Sequence, residues 1–568
     1  MPKKETPQLD KFAIAAVLQE IATLMELKGG KDRFKAKAYN AGARSIQAVA
    51  NLGTLVEQDR LTTLPRIGEG LASQIKQLYL TGESSVLSGL RKEFPAGVAE
   101  LSTVPGLSVP KIALLREQLG ITSIDELKAA ARAGKLQELK GFGAKTEERI
   151  LKSLEAPKEK PKQGLHLHHA VSIAERVIEY LRTIKELVDV SIAGTLRRRC
   201  ETVGLIEIVA SSRKPQAIIK SFLDFPLVSL RQTVDDNSCA VVLTDGAHVS
   251  LTVVSPDEFA VTLFTKTGSP AHVEKVVQLP PARKKSTKLP ATESALYERF
   301  GMQYVEPELR EDAGEIEAAL AGELPKDLLQ LDDIKGMVHC HTTYSDGKHS
   351  LTDMVLAAQE MGMQYITITD HSPTAFYAGG LKLDKLKRQW DEIDEVQEKV
   401  KIKILKGTES DIVADGKLDY PDRILEKFDV IVASIHSRYK MDSKKMTERL
   451  VTAMRQPVFK IWGHALGRLI QRRPAFECDV LKVLDVIAES KAAVEINGDP
   501  YRLDLEPRWV REARKRNIKF VISVDAHSMG ALHNLQFGVS MARRGWLTTE
   551  EVLNALPVDR FASVVKPA

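Results

Sequence analysis

From residue 337 onward the chain repeats one arrangement: a short β-branched or apolar run, then a side chain able to bind a metal ion. Seven such runs are predicted as strands, at 337–340, 365–369, 402–405, 430–434, 459–462, 493–496 and 520–524. Six of them lead into His339 and His341, then His371, Glu409, His436, His464, and finally Asp525 with His527, while Asp346 follows in the loop after the first run. Strand side chains alternate with period 2, so the His339–His341 pair on an extended segment shows both imidazoles to one face. Donors from separate strands meet only if parallel strands curl their C-terminal ends around one axis, as in a (β/α) barrel.

One histidine at a strand end reads most simply as a satisfied core or surface residue. Six of them, with three carboxylates, at the same end of successive strands are poorly explained that way. Nine nitrogen and oxygen donors without a thiolate suit two or three divalent ions of Mn, Zn or Fe type. Such clusters suit phosphoester hydrolysis, one ion activating water while its neighbours hold the phosphate oxygens. Arg468 and Arg502 follow strand ends; they either grip non-bridging oxygens as catalytic groups or lie as surface arginines.

Charge divides the chain. Residues 1–290 hold 42 basic and 32 acidic side chains, and residues 291–568 hold 39 and 44, so the net +5 hides a basic front half suited to a polyanion. A hydrophobic content of 43% with 28% charged residues excludes collagen-like and wholly disordered chains. Four cysteines without a C-x-x-C pair exclude a disulfide framework. No run approaches the ~20 apolar residues of a membrane span, and no apolar signal core opens the chain. The expectation is a cytoplasmic, monomeric protein without a membrane partner. Pro- and Lys-rich linkers at 155–164 and 279–292 divide it into a helical segment (1–155), a mixed core (165–325) and the strand–helix region (331–568).

In the helical segment a tight turn between helices recurs at 64–68, 104–107 and 139–143. Its glycines, Gly68, Gly70, Gly106, Gly141 and Gly143, let the backbone approach a phosphate while the next helix presents free N–H groups. Three copies within a basic half favour DNA, and the turns resemble the helix-hairpin-helix motif of non-sequence-specific DNA binders.

The later motifs resemble the PHP (polymerase and histidinol phosphatase) domain: His339-Cys340-His341 with Ser345-Asp346-Gly347, Thr369-Asp370-His371, Gly407-Thr408-Glu409, Ser434-Ile435-His436, Gly463-His464 and Asp525-Ala526-His527. The resemblance implies a (β/α)7 barrel with a trinuclear, often manganese-dependent, phosphoesterase site. The whole chain resembles bacterial family X DNA polymerases: an all-α helix-hairpin-helix domain, an α+β nucleotidyltransferase-like core and a PHP barrel. In the core, Gly194-Thr195-Leu196-Arg197-Arg198 resembles the family's triphosphate cradle, and Thr267-Gly268-Ser269 its sugar-contacting turn.

Two-metal nucleotidyl transfer needs carboxylates to hold both Mg²⁺ ions. Where the resemblance expects three aspartates, this chain has Leu205, Glu207 and Ser250. Leucine offers no lone pair and serine only a neutral one, so the core is expected to hold Mg²⁺ poorly and to have lost synthesis. Gln74 stands where the family's lyase lysine is expected, while Lys35 lies in the matching phosphate-binding helix. The expected function is a DNA-repair phosphodiesterase, a 3′→5′ exonuclease or abasic-site endonuclease acting on gapped, 3′-ended or abasic DNA. Weak gap-filling polymerisation and hydrolysis of a small phosphoester are the alternatives.

Overall fold

A computed structural model describes residues 11–47, 52–94, 109–139, 164–282 and 288–567, together with positions 101, 104, 107, 141–143, 146–147 and 150–151. The expected turn glycine Gly106 and nearly all of the first linker lie outside the described residues.

The front segment is helical because its apolar residues recur at helical spacing. Along helix Lys11–Lys28 the residues Ile14, Leu18, Ile21 and Met25 turn one face inward, and Leu71, Ile75 and Leu78 do so on helix Glu69–Thr81. Gly82, in the left-handed conformation, ends the second of these helices.

The core is a five-stranded sheet: β1 (Asp189–Ala193), β2 (Ile206–Ser211), β3 (Val228–Val234), β4 (Ser238–Leu243) and β5 (His248–Val254). Their spatial order is β1-β2-β5-β4-β3, with only β2 and β5 parallel. Period-2 alternation buries Val249, Leu251 and Val253 of β5.

The last part is a barrel of seven parallel strands in sequence order: β6 (Gly336–Cys340), β7 (Tyr365–Ile368), β8 (Lys403–Asp411), β9 (Val430–Ser434), β10 (Lys460–Trp462), β11 (Ala492–Asn497) and β12 (Phe520–Ser523). Just past β12, Ala526 accepts from the His341 N–H at 2.8 Å and donates to the His339 carbonyl at 3.0 Å, which brings the two edge strands together. Val338, Tyr365, Leu405, Val432, Ile461, Ala493 and Val521, one from each strand, pack together with Phe561 of helix Val558–Val565. Helices such as Ser443–Met454 and Val480–Ala488 follow the strands, so strands buried on both faces read as continuous apolar runs.

The seven predicted runs match the strands to within a residue or two, save that β8 continues to Asp411 and carries Glu409 within it. β6 departs from the regular strand expected of it: its register with β7 shifts between Met337 and Cys340, and His339 has φ +66°. An irregular backbone, as well as pleat alternation, therefore sets the aim of His339.

Core and barrel meet through ion pairs. Glu201 accepts from Arg544 at 2.7 Å and lies 3.4 Å from Arg468, and Glu308 pairs with Arg543 at 2.7 Å.

Candidate metal centre

The C-terminal ends of the barrel strands bring all nine predicted donors together. Three overlapping groups have donor atoms within 4.8 Å of one another: His341, Asp346, His371 and His527; His339, His341, Glu409 and Asp525; and His371, Glu409 and His436. His464 joins them, its Nε2 lying 2.9 Å from Glu409 Oε1 and 3.1 Å from His436 Nε2. Glu409 is the hub, within 3.6 Å of five histidines. Among the described residues, every such group lies in this barrel.

The buried polar atoms test whether a metal fits. His339 Nε2, His341 Nε2, His371 Nδ1, Glu409 Oε2, His464 Nδ1 and Asp525 Oδ1 are buried without a hydrogen bond of good geometry, although His371 Nδ1 faces Glu409 Oε2 at 2.9 Å and His341 Nε2 faces Asp525 Oδ1 at 3.1 Å. Leaving a buried polar atom unsatisfied costs ~1–3 kcal/mol, so six in one pocket mark a place where cations would complete the structure. The donor set, imidazole with carboxylate, suits divalent ions.

Charge is distributed unevenly over the set. Burial opposes a proton on His339, yet Glu495, Glu409 and Asp525 outweigh it and hold its pKa well above the ordinary histidine value. Burial, with His371 beside it, pushes His341 down to about 3. Burial would raise the Glu409 pKa, but His436, His339 and His371 hold it well below the usual carboxylate range.

Two carboxylates that sequence reasoning missed orient the donors. Glu495 accepts from His339 Nδ1 at 2.6 Å and from the backbone N–H of His464, and Asp411 pairs with His436 Nδ1 at 2.5 Å. Each fixes one ring nitrogen and leaves the other facing the pocket. Asp411 lies two residues beyond Glu409 on one strand and Glu495 interrupts an apolar run, signals that mark the positions without giving their partners. Asp346 reaches the cluster because Gly347 crosses the strand end closely; a Cβ there would lie 2.6 Å from the His341 carbonyl carbon. His339, His464 and Asp525 have φ of +66°, +24° and +51°. Non-glycine residues held there cost of order 1–3 kcal/mol each and cluster at functional sites.

The two arginines part company. Arg502 Nε lies 3.1 Å from Asp525 Oδ2, and its buried Nη1 has no hydrogen-bond partner. Arg468 is not brought to the cluster: its guanidinium is held by the carbonyls of Arg502 and Leu503 and by Glu506, beside Glu201. It ties core to barrel.

In the core, Glu207 stands across from Ser250 on neighbouring strands, and Leu205 just before β2 is 38% exposed. Gly194 (φ +62°) gives Glu207 room, since a Cβ there would meet Glu207 Oε2 at 2.0 Å. Thr195 lies in the short helix Gly194–Arg197. The expected triphosphate cradle is tied internally: Arg197 forks onto Glu293, while Arg198 donates to Glu311 at 2.9 Å and to the Thr267 carbonyl at 2.6 Å. Ser269 caps helix Pro270–Gln278 and Gly268 precedes it.

In the helical segment Gly68 caps helix Glu69–Thr81, Gly70 lies in its first turn, and a Cβ on either would meet open space. Gly141 (φ +92°) and Gly143 form the third turn, where the Gly143 carbonyl accepts from Thr146 and Glu147. Lys35 is exposed on helix Asp32–Gln47, 3.1 Å from Asp32. Gln74 accepts from Ser84 at 3.2 Å.

A barrel whose strand ends gather histidines and carboxylates, joined to a mixed-sheet core and helix-hairpin-helix turns, defines a multidomain protein of the PHP class with DNA-binding helical modules. Profiles agree: a PHP domain matches residues 338–499, a helix-hairpin-helix domain 10–84 and a SAM-like helix-hairpin-helix tandem 98–156. The chain is 34% identical over 574 residues, 98% of its length and 100% of the relative's, to the DNA polymerase/3′-5′ exonuclease PolX of Bacillus subtilis (strain 168). A probable phosphatase of Caldanaerobacter subterraneus subsp. tengcongensis shares 29% identity over 33% of this chain and 74% of its own. One from Thermoanaerobacter sp. (strain X514) shares 27% over 38% of this chain and 88% of its own. The chain belongs to the bacterial family X DNA polymerases that carry a C-terminal PHP domain.

Proposed function

We propose that this protein is a DNA phosphodiesterase, acting 3′→5′ at the barrel, in which the polymerase core holds DNA without extending it. The observation that carries the reading is the contrast between the two sites. Nine donors, with six orphaned buried atoms, converge at the barrel, while one carboxylate, Glu207, remains at the three expected core positions. His339, His341, Asp346, His371, Glu409, His436, His464, Asp525 and His527 would hold two or three divalent ions, which when bound would supply Lewis acidity for phosphodiester hydrolysis at neutral pH. Glu495 and Asp411 hold two donor rings in place. Arg502, with a free buried N–H, donates to a non-bridging phosphate oxygen.

Loss of synthesis has a second support beyond the missing acids. A triphosphate would have to break the Arg197–Glu293 and Arg198–Glu311 pairs to engage these arginines. Both arginines are thereby already neutralised by carboxylates within the core. The basic helical segment supplies sequence-independent DNA affinity.

Purified protein is expected to shorten a 5′-labelled primer stepwise from its 3′ end with Mn²⁺ and to incorporate no dNTP at a gap. His339→Ala should stop the degradation. Persistent nuclease activity in that variant, or dNTP incorporation by the parent, defeats the corresponding half of the reading. The phosphatase relatives favour a second reading, hydrolysis of a small phosphomonoester; it predicts turnover of small monoesters with the primer left intact.

A further inference from the structure

We propose that Phe376 and Tyr377 form a stacking platform for the terminal bases of a single-stranded 3′ end whose phosphodiester enters the nine-donor pocket; this rests on the phosphodiesterase reading above. Phe376 is 84% exposed, more than any other large apolar side chain among the described residues, and Tyr377 is 63% exposed. Burying such a ring is worth ~1.5–3 kcal/mol, so two left out side by side call for an explanation.

A loose loop is not that explanation. The segment leaves the site at His371 and returns to it, with the Leu381 N–H donating to the His371 carbonyl at 2.8 Å. Within it, Ala375 donates to Ser372 O, while Ala378 and Gly380 both donate to Ala375 O. Ala375, Ala378 and Leu381 are buried, and the Thr374 N–H is held by Asp419 at 2.6 Å. The loop is therefore tied down at its base, and only the two rings are displayed.

Their placement connects them to the chemistry. The Tyr377 ring centroid lies 6.5 Å from that of His371, and Phe376 meets Tyr377 edge-on at 6.1 Å. Tyr377 is within electrostatic reach of Glu409, Asp411 and Asp346, and of Tyr439. Tyr439 carries the Arg473 guanidinium over its ring at 3.9 Å. On the near side, Lys385 lies beside the loop, its Nζ 3.1 Å from the Gly379 carbonyl. A pocket for phosphate, flanked by cations and by open aromatic faces, matches the chemistry of single-stranded nucleic acid, whose backbone follows the cations while unpaired bases stack on the rings. A paired end keeps its base faces stacked within the helix, and a small phosphomonoester offers nothing for the rings to hold.

The test uses the full-length protein. A single-stranded oligonucleotide with 2-aminopurine at its 3′ terminus is titrated with the His339→Ala variant, so that nothing is cleaved. Fluorescence is expected to quench on binding, and adding Phe376→Ala should remove most of that quench while Phe376→Trp keeps it. In parallel, kcat/KM for Mn²⁺-dependent degradation of the oligonucleotide should fall about 5- to 140-fold with Phe376→Ala, mostly through KM, since stacking on an aromatic side chain is worth ~1–3 kcal/mol per base. An oligomer of abasic tetrahydrofuran phosphates carries neither a base nor any other aromatic ring to stack. An equal loss on that substrate would show a structural role and overturn the proposal, as would an unchanged quench. If the parent protein leaves the oligonucleotide intact, the phosphodiesterase reading fails instead, which separates the two outcomes.

Discussion

Glu495 offers the sharpest test of how the barrel prepares its donors. It is fully buried and accepts from four groups: His339 Nδ1 at 2.6 Å, Asn497 Nδ2 at 3.0 Å, the His464 N–H and the Ser523 hydroxyl. Glu495→Gln preserves shape but changes the bonding. One amide oxygen accepts about two of these bonds, and the new NH₂ faces the remaining donors. His339 then loses the partner that fixes its tautomer and aims Nε2 at the pocket. Losing such a contact costs about 10–100-fold in metal affinity, or ~1.4–2.8 kcal/mol at 1.4 kcal/mol per decade. The two orphaned donors add ~1–3 kcal/mol each against folding. Titrating Mn²⁺ into the metal-stripped variant should therefore shift the midpoint of binding, followed by the electron paramagnetic resonance of free Mn²⁺, 10–100-fold upward. Saturating Mn²⁺ should recover most of the phosphodiesterase rate. A midpoint equal to that of the parent would refute the reasoning. So would a rate loss that no Mn²⁺ concentration restores, because Glu495 would then act in the reaction itself.

Three further outcomes are expected. Arg502→Gln should lower kcat for primer degradation about 10²–10³-fold, the usual loss for a donor aimed at developing charge; Arg468→Ala should leave the rate per folded molecule within about threefold and show its effect as earlier thermal unfolding. His168 packs against His166, His169 and Tyr501, and burial followed by its two histidine neighbours lowers its pKa to about 3. The unfolded chain takes up that proton near pH 6.5 while the folded one does not, so stability is complete above pH 6.5 and is lost as pH falls towards 3; melting curves at pH 7.5 and 5.0 should converge in His168→Gln. DNA binding should weaken with salt, and Lys35→Ala should reduce the slope of log K against log[salt] by about 0.9 if Lys35 neutralises one duplex phosphate; an unchanged slope would remove it from the DNA contacts.

Much of the candidate site is legible in the order of residues. Apolar runs of strand length, six of the seven leading into His, Asp or Glu, suffice for a parallel barrel and a nine-donor set, because strand side chains repeat every second residue and barrels gather strand ends. Against the three aspartates that the family resemblance expects, Leu205 and Ser250 beside Glu207 are equally plain in the sequence, since the absence of a carboxylate is a property of the residue itself. Glu495 and Asp411 are not legible in this way, because a carboxylate inside a strand shows neither its partner nor its role until the barrel closes around it.

What the sequence alone determined is chemistry and local periodicity: which residues can bind cations, which runs are strands, and which half carries the positive charge. Tertiary structure decided direction. Arg468 and Arg502 look alike as arginines beyond strand ends, yet Arg468 turns to Glu506 and to Glu201 of the distant core, and Arg502 turns to Asp525. His339 likewise takes its aim from a left-handed backbone position and from Glu495 on β11, a strand remote in sequence that barrel closure brings near β6. The physical reason is range. Side-chain chemistry and pleat alternation are fixed within a few residues, whereas the aim of a long or strained side chain depends on partners that only folding delivers.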